Sequence, residues 1–214
     1  MIVVCGGIKG GVGKTTVATN LAVLRSLAGK DVLMVDADDQ GTASDFSLLR
    51  AEERGGDSGY TCVKLSGAAV RADTLKMAPK YDDVVIDVGG RDTAGQRAAM
   101  SIANLYLSPF LPGSFDVWTL EPLAALIEEA KAFNENLKAY CFINRADPIG
   151  KNNEEAGEIA SETPNMDFIT IRLGNRKAFR NAAASGLTPA ELRPKDPKAI
   201  AEMQTLYDFV FNSK

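Results

Sequence analysis

A glycine-rich loop near the amino terminus places the strongest constraint on how this chain can fold. The segment GGIKGGVGKTT, residues 6–16, lies between an apolar run at Ile2–Cys5 and a stretch at Thr15–Ala28 whose apolar residues share one helical face. In the phosphate-loop pattern GxxxxGK(S/T), backbone N–H groups point at a phosphate at the start of a helix. Residues 13–15 complete this pattern, although Ile8 stands where its first glycine belongs. The context therefore predicts a phosphate-binding loop, and a chance cluster of glycines is the alternative.

Continuous apolar runs alternate with helical patterns along the rest of the chain. Runs without polar alternation are typical of parallel strands that are covered on both faces. Strands are predicted at Ile2–Cys5, Asp31–Asp36, Asp83–Val88, Leu105–Pro112, Ala139–Arg145 and Asp167–Ile171. Helices are predicted at Thr15–Ala28, Ala94–Ala103, Asp116–Phe133, Asn152–Ala160, Asn175–Ala184 and Pro197–Phe211. We therefore expect an α/β fold, a doubly wound and mostly parallel sheet flanked by helices, in one domain over residues 1–214. The glycines and charges of Arg50–Thr61 predict an exposed loop.

Composition and charge narrow the function classes. The net charge is −4, so nucleic-acid binding would require a local basic patch. The chain has no histidine and three widely spaced cysteines, which excludes an imidazole metal site and argues against a thiolate cluster. Buried, reduced cysteines and the lack of a membrane-length apolar run favour a cytoplasmic protein. Because the first strand begins next to Met1, no helix-turn-helix module is expected before it.

The octapeptide KGGVGKTT, Lys9 to Thr16, resembles the deviant Walker A box of the ParA/MinD family of partition and positioning ATPases. The resemblance implies a weak, partner-stimulated ATPase with ATP and Mg²⁺ as cofactors. It also implies that Lys14 holds the phosphates of its own subunit, while Lys9 reaches the nucleotide of the other subunit in a homodimer bridged by ATP. A cation delivered by a partner couples nucleotide occupancy to dimerisation. The alternative is that Lys9 is solvated or binds its own nucleotide. The implied nucleotide contacts in this loop are Lys9, Gly10, Gly11, Val12, Gly13, Lys14, Thr15 and Thr16.

The acidic segment VDADDQG follows the second predicted strand and resembles the family's DxDPQ switch. By this resemblance Asp36 lies in the water shell of Mg²⁺, Asp38 orients the attacking water, and Gln40 belongs to the dimer-facing switch. Asp39 stands where the family usually has proline, which loosens the loop and adds a negative charge. An acidic helix cap after a strand is the alternative explanation.

A second acidic position ends the strand VVIDV. Adjacent parallel strands deliver their last residues to the same sheet edge, so Asp87 is expected to hold Mg²⁺ through water, with the Thr15 hydroxyl as a further ligand. Gly89 and Gly90 are expected to give this second switch its freedom.

In the later strand end CFINRAD, the resemblance assigns Asn144 to the adenine edge, next to Arg145, whereas a local strand-end role for the asparagine is the alternative.

A late basic cluster is the remaining signal for a partner. ParA-type relatives carry nonspecific DNA-binding residues in a comparable segment, and cations on one face bind phosphates regardless of sequence. Arg176 and Arg180 are predicted to share a helix face, and a solvated helix is the alternative. The expected partners are nonspecific DNA and a ParB-type adaptor, without a membrane, and the ATP-bound protein is expected on the nucleoid. The cluster comprises Arg172, Arg176, Lys177 and Arg180.

Other functions of the same loop superfamily stay open. A MinD-like membrane-positioning ATPase would need a basic amphipathic tail, whereas the C-terminal segment carries Glu202 and Asp208 and is predicted to be a packed helix. A dethiobiotin synthetase-like ligase would lack the lysine at position 9. A nitrogenase-like reductase would need cluster-forming cysteines, and a nonhydrolysing adaptor would not retain the acidic residues. The motifs predict an ATPase that positions or partitions a cargo, either DNA or a protein assembly.

Overall fold

The computed structural model describes residues 1–91, 93–149 and 151–212, without the side chains of residues 114 and 115. In these residues seven strands form one sheet in which every neighbouring pair is parallel. The order across the sheet is β3-β2-β4-β1-β5-β6-β7. The strands are β1 Ile2–Cys5, β2 Val32–Ala37, β3 Thr61–Lys64, β4 Asp83–Val88, β5 Leu105–Phe110, β6 Lys138–Ala146 and β7 Asp167–Gly174. The predicted doubly wound α/β fold is confirmed.

Helices connect these strands and cover both faces of the sheet. The helices are α1 Lys14–Leu27, α2 Thr42–Glu53, α3 Ala69–Met77, α4 Ala94–Met100, α5 Ser114–Val117, α6 Leu120–Lys131, α7 Asn152–Glu162, α8 Lys177–Ala183 and α9 Pro197–Phe211. Helix α9 buries Met203, Leu206 and Val210 among its inward-facing residues, as expected of a packed helix. Residues 213 and 214 lie outside the described part of the chain. No helix in the described ranges has both the length and the apolarity that a bilayer span requires.

Two hydrophobic cores explain why the strands lack polar alternation. Val4 of β1 packs in the core that contains residues of α3, α4, α6 and α7. Val3 and Cys5 pack in the opposite core, which contains residues of α1, α2 and α9. Both faces of the central strands are therefore removed from water, and a polar residue on either face would have to be satisfied inside the protein.

The segment Arg50–Thr61 differs from its prediction as an exposed loop. Its first residues end α2, and its last residue begins β3, an edge strand that is only half buried. Arg50 is 1% exposed. Its guanidinium makes two hydrogen bonds of 2.9 Å with the carboxylate of Glu191 and donates to the carbonyl of Gly186 at 3.1 Å. The prediction was wrong for Arg50, because partners distant in sequence satisfy its charge, whereas residues 54–60 form the expected loop and residues 52–57 are exposed.

Further element boundaries differ from the predictions. The helix predicted at Asp116–Phe133 is divided into α5 and α6, and the helix predicted at Asn175–Ala184 begins only at Lys177. Helices α2 and α3 and strand β3 were not predicted. Helix α3 buries only Val70 and Thr74, so it has too few inward-facing residues to produce a strong periodic pattern.

Candidate active site

The glycine-rich loop joins β1 to α1 at the carboxyl edge of the sheet. Gly13 precedes the first residue of α1 with φ +98°, and no side chain caps the helix. A Cβ atom at Gly13 would also lie 2.1 Å from the Nδ2 atom of Asn144, so only glycine fits there. The first N–H groups of α1 are therefore left for an external acceptor. The end of a helix with free N–H groups and a positive dipole favours a phosphate.

Lys14 lies inside this loop. The residue is 6% exposed, and its Nζ atom donates a 2.8 Å hydrogen bond to the carbonyl of Lys9. Burial lowers the pKa of the Lys14 ammonium, while the negative charges of Asp87 and Asp38 raise it. The ammonium of Lys14 therefore reaches across the loop. A bound anionic group at this place would neutralise its charge.

Asp87 is the most strongly perturbed acid of the site. The residue is fully buried, and neither carboxylate oxygen has a hydrogen bond of ordinary geometry. Burial raises the pKa of Asp87 to about 7, and the nearby charges of Asp36 and Asp38 add to this, although the Thr15 hydroxyl and Lys14 act in the opposite direction. A buried carboxylate without a donor fits a hydrated divalent cation such as Mg²⁺.

The register of β2 and β4 places Asp36 directly beside Asp87. The two carboxylates differ in their partners. The Oδ2 atom of Asp36 accepts hydrogen bonds from the backbone N–H and the hydroxyl of Ser44, at 2.8 and 2.7 Å, and its Oδ1 atom accepts one from the N–H of Asp38 at 3.2 Å. Asp36 therefore holds the start of α2, in line with the alternative of an acidic helix cap, and its place in a metal shell stays a prediction.

A direct metal cage is not part of this arrangement. In residues 1–91, 93–149 and 151–212, no group of three or more acidic or cysteine side chains is placed to hold a metal ion. The cysteines are free thiols, with Cys5 and Cys141 buried and Cys62 half-buried. An ion at Asp87 would therefore complete its coordination with the Thr15 hydroxyl, water and phosphate oxygens, which is how Mg²⁺ is commonly bound.

A cavity of about 610 Å³ opens above the loop, within the size range of small-molecule sites. It brings together the phosphate loop, the acidic switch with Asp38 and Gln40, the second switch with Gly89 and Gly90, and Arg145. The Oδ1 atom of Asp38 accepts a 3.1 Å hydrogen bond from the N–H of Gln40. The lining residues include Gly10, Gly11, Gly13–Thr16, Ala37–Gln40, Ser66, Gly67, Gly89–Arg91 and Arg145.

Lys9 is oriented differently from Lys14. Its side chain is 37% exposed, and its Nζ atom lies 2.9 Å from the Oδ1 atom of Asp116 on α5. Lys9 does not line the cavity of its own chain. The two lysines of this loop thus lie in different environments, one partly exposed and one buried. The predicted contact of Lys9 with a second subunit stays a prediction.

Asn144 has a local role in the structure. Its Nδ2 atom donates a 2.7 Å hydrogen bond to the carbonyl of Val12, and its Oδ1 atom accepts one of 2.9 Å from the N–H of Arg145. Asn144 thereby ties the end of β6 to the phosphate loop. Both amide atoms are thus hydrogen-bonded within the chain. The predicted contact of Asn144 with adenine stays a prediction. The neighbouring Arg145 has φ +51° and lines the cavity.

The late basic cluster is divided by an ion pair. Arg176 donates two hydrogen bonds to the carboxylate of Glu202 on α9, one of them from Nε at 2.9 Å, which raises the pKa of its guanidinium. Arg176 also precedes the first residue of α8, so the predicted shared helix face with Arg180 was wrong. Arg172, Lys177 and Arg180 are exposed.

Sequence reasoning missed two residues next to the site. Asp116, the partner of Lys9, belongs to no sequence motif, and it comes close to Lys9 only in the folded chain. Gln96 is completely buried in α4. The stretch AGQRAAM has small or apolar residues apart from Gln96 and Arg97, and the glutamine is the one signal that could have drawn attention to this position.

The comparisons with known proteins agree with this geometry. The chain is 28% identical over 208 residues to the maintenance of carboxysome distribution protein A of Halothiobacillus neapolitanus, an alignment that covers 96% of this chain and 94% of that protein. It is 37% identical over 120 residues to the chromosome-partitioning ATPase Soj of Thermus thermophilus, which covers 55% of this chain and 48% of Soj.

Solved structures share the fold. A Cyanothece McdA variant in complex with ATP superimposes with a TM-score of 0.82 at 17% identity, covering 100% of this chain and 96% of that one. The cell division ATPase MinD of Pyrococcus furiosus gives a TM-score of 0.76 at 18% identity, covering 99% of both chains.

The CobQ/CobB/MinD/ParA nucleotide binding domain matches residues 2–190, which include the phosphate loop, both acidic strand ends and the strand of Asn144. The chain therefore belongs to the ParA/MinD family of nucleotide-binding proteins.

Proposed function

We propose that this protein is a Mg²⁺-dependent ATPase that dimerises around ATP and positions or partitions a cargo, with residues 1–214 as one ATPase domain. The observation that carries the proposal is the divergence of two lysines in one loop. Lys14 is buried beneath the cavity, whereas Lys9 lies outside it and remains partly exposed. A partly exposed cation directed away from its own site supports a role at the nucleotide of a second copy.

Hydrolysis is assigned to the residues around the cavity. Lys14 and the N–H groups of Gly10 to Gly13 bind the phosphates, and Asp38 orients the attacking water. Thr15 and Asp87, with the water shell near Asp36, would hold Mg²⁺, which would supply positive charge to the phosphate oxygens. The fully buried, unpartnered carboxylate of Asp87 supports this assignment. Asn144 and Arg145 are the residues proposed to contact the base, and Arg145 lines the cavity.

The cargo and partners are proposed from the relatives. Their names point to two cargo classes, a carboxysome and a chromosome. We propose positioning by ATP-dependent, nonspecific DNA binding in a bacterial cytoplasm, stimulated by a ParB-type adaptor. The exposed Arg172, Lys177 and Arg180 are the cations for DNA phosphates, and a dimer would present this set twice.

The test measures ATP turnover and sedimentation with and without duplex DNA. Lys9→Ala is expected to remain monomeric in ATP, and Asp38→Ala is expected to accumulate as an ATP-bound dimer. Lys76→Ala, an exposed lysine of α3, is the control for loss of a surface charge. A Lys9→Ala protein that dimerises like the native protein would refute the cross-subunit role.

A further inference from the structure

A buried glutamine connects the two loops that meet above the phosphate site. Gln96 is completely buried at the start of α4, and its backbone N–H donates to the hydroxyl of Thr93 at 3.1 Å. The end of its side chain faces the carbonyl oxygens of Gly89 and Gly7, at 3.2 and 3.3 Å. Two carbonyls can be satisfied only by a donor, so the amide nitrogen occupies this position.

The two carbonyls belong to different functional segments. Gly7 is at the start of the phosphate loop, and Gly89 begins the second switch two residues after Asp87. The next residue, Gly90, rests directly on the loop, since a Cβ atom there would lie 2.6 Å from the backbone nitrogen of Gly10. The second switch therefore packs on the phosphate loop by backbone contact, and the amide of Gln96 spans the junction.

The same switch lies close to the residue assigned to the attacking water. A Cβ atom at Gly89 would lie 3.3 Å from the Oδ1 atom of Asp38. Lys14 and Thr15, which are proposed to hold the inner phosphates and Mg²⁺, lie on α1 and make no hydrogen bond with Gln96 within the described part of the chain. Gln96 is thus linked to the hydrolytic end of the cavity through Gly89.

We propose that Gln96 is a positioning residue for ATP hydrolysis. It fixes the second switch against the phosphate loop, so that Gly89 holds Asp38 beside the terminal phosphate. This inference rests on the proposed ATPase function. Because Gln96 acts through Gly89 on Asp38, which is assigned to the attacking water and not to phosphate binding, its loss reduces turnover and leaves ADP binding unchanged.

The experiment compares the native protein with Gln96→Met and Gln96→Glu. Methionine keeps the length of the side chain and removes the donor, whereas glutamate turns an acceptor toward two carbonyl oxygens. We expect kcat to fall about tenfold in Gln96→Met, which is the scale of one lost positioning hydrogen bond, and further in Gln96→Glu. The dissociation constant of ADP is expected to stay within about twofold of the native value. Gln204→Met, at an exposed glutamine of α9, is the control and is expected to behave as the native protein.

Hydrogen exchange gives a readout that does not depend on turnover. In Gln96→Met, peptides covering Gly6–Gly11 and Val88–Arg91 are expected to exchange faster together, while α9 is unchanged. Native kcat in Gln96→Met, an equal loss of ADP binding and turnover, or faster exchange in one segment alone would each overturn the proposal. A native protein without turnover would reject the proposed function, and the exchange result would still decide whether Gln96 joins the two segments.

Discussion

The ammonium of Lys9 lies 2.9 Å from the carboxylate of Asp116 in the same chain. Asp116 is 7% exposed, and its Oδ1 atom has no hydrogen bond of ordinary geometry beyond this ion pair. Lys9 is the more exposed partner and keeps access to water. Any contact of Lys9 with a second subunit therefore competes with an ion pair inside its own chain.

Substitution of Asp116 by asparagine is expected to favour dimerisation. The change removes the charge that holds Lys9, so less ATP is needed to form the dimer, by about threefold to fivefold for a partly exposed pair. Sedimentation velocity across an ATP titration measures this shift. Asp73→Asn removes an exposed carboxylate from α3 and should leave the titration unchanged. Weaker dimerisation of Asp116→Asn would mean that Asp116 supports the interface instead of restraining Lys9.

The raised pKa of Asp87 predicts a pH-dependent stability of the protein without Mg²⁺ and nucleotide. Because the folded pKa is about 7 and the ordinary value is 3.8, the folded state binds the proton more tightly. The contribution of Asp87 to the free energy of unfolding therefore falls as pH rises from about 4 to about 7. Asp87→Asn, which resembles the protonated form, should be more stable than the native protein by about 4 kcal/mol at pH 8 and equally stable near pH 4.

Urea unfolding between pH 4 and pH 8 in the presence of a chelator measures this difference. Glu135→Gln alters an exposed carboxylate and should track the native protein at every pH. A constant difference between Asp87→Asn and the native protein across this range would show that Asp87 does not titrate there.

The ion pair of Arg50 and Glu191 is expected to stabilise the fold. Arg50→Met should lower the free energy of unfolding by about 3–5 kcal/mol, because it leaves a partly buried carboxylate without its partner. Arg54 offers a matched control, since it lies 3.6 Å from the same carboxylate with a side chain that is 39% exposed. Arg54→Met should cost under about 1 kcal/mol. Equal losses in the two variants, measured by urea unfolding, would contradict the structural distinction.

The basic residues proposed to bind DNA differ in their surroundings. Lys177 and Arg180 are exposed, whereas Arg176 is paired with Glu202. The double variant Lys177→Ala/Arg180→Ala should weaken binding of the ATP-bound protein to duplex DNA. The slope of log K against log salt should decrease in magnitude by about 2. Arg176→Ala should alter mainly stability, because its guanidinium is held by Glu202. Anisotropy titrations at several salt concentrations measure both, and an unchanged slope in the double variant would exclude these residues as phosphate contacts.

The predictions succeeded where a residue's environment follows from its neighbours in sequence. The uninterrupted apolar run of β4 predicted a strand buried on both faces, and it placed Asp87 near the end of that strand. They failed where the environment depends on distant partners. The short edge strand β3 is half-exposed and carries no continuous apolar pattern. Arg50 has the sequence context of a surface charge and is buried only because Glu191, 141 residues away, pairs with it.

The sequence by itself determined the parallel sheet, the phosphate loop at its carboxyl edge and the acidic strand ends beside that loop, since apolar runs and glycine spacing are local properties that the backbone must obey. Only the tertiary structure decided which partners the side chains of this site have. It placed Lys9 against Asp116, the amide of Asn144 on Val12, and Gln96 between two loops. Such contacts depend on how separate elements pack, and no local pattern encodes the distance between atoms that are brought together only when the sheet and its helices assemble.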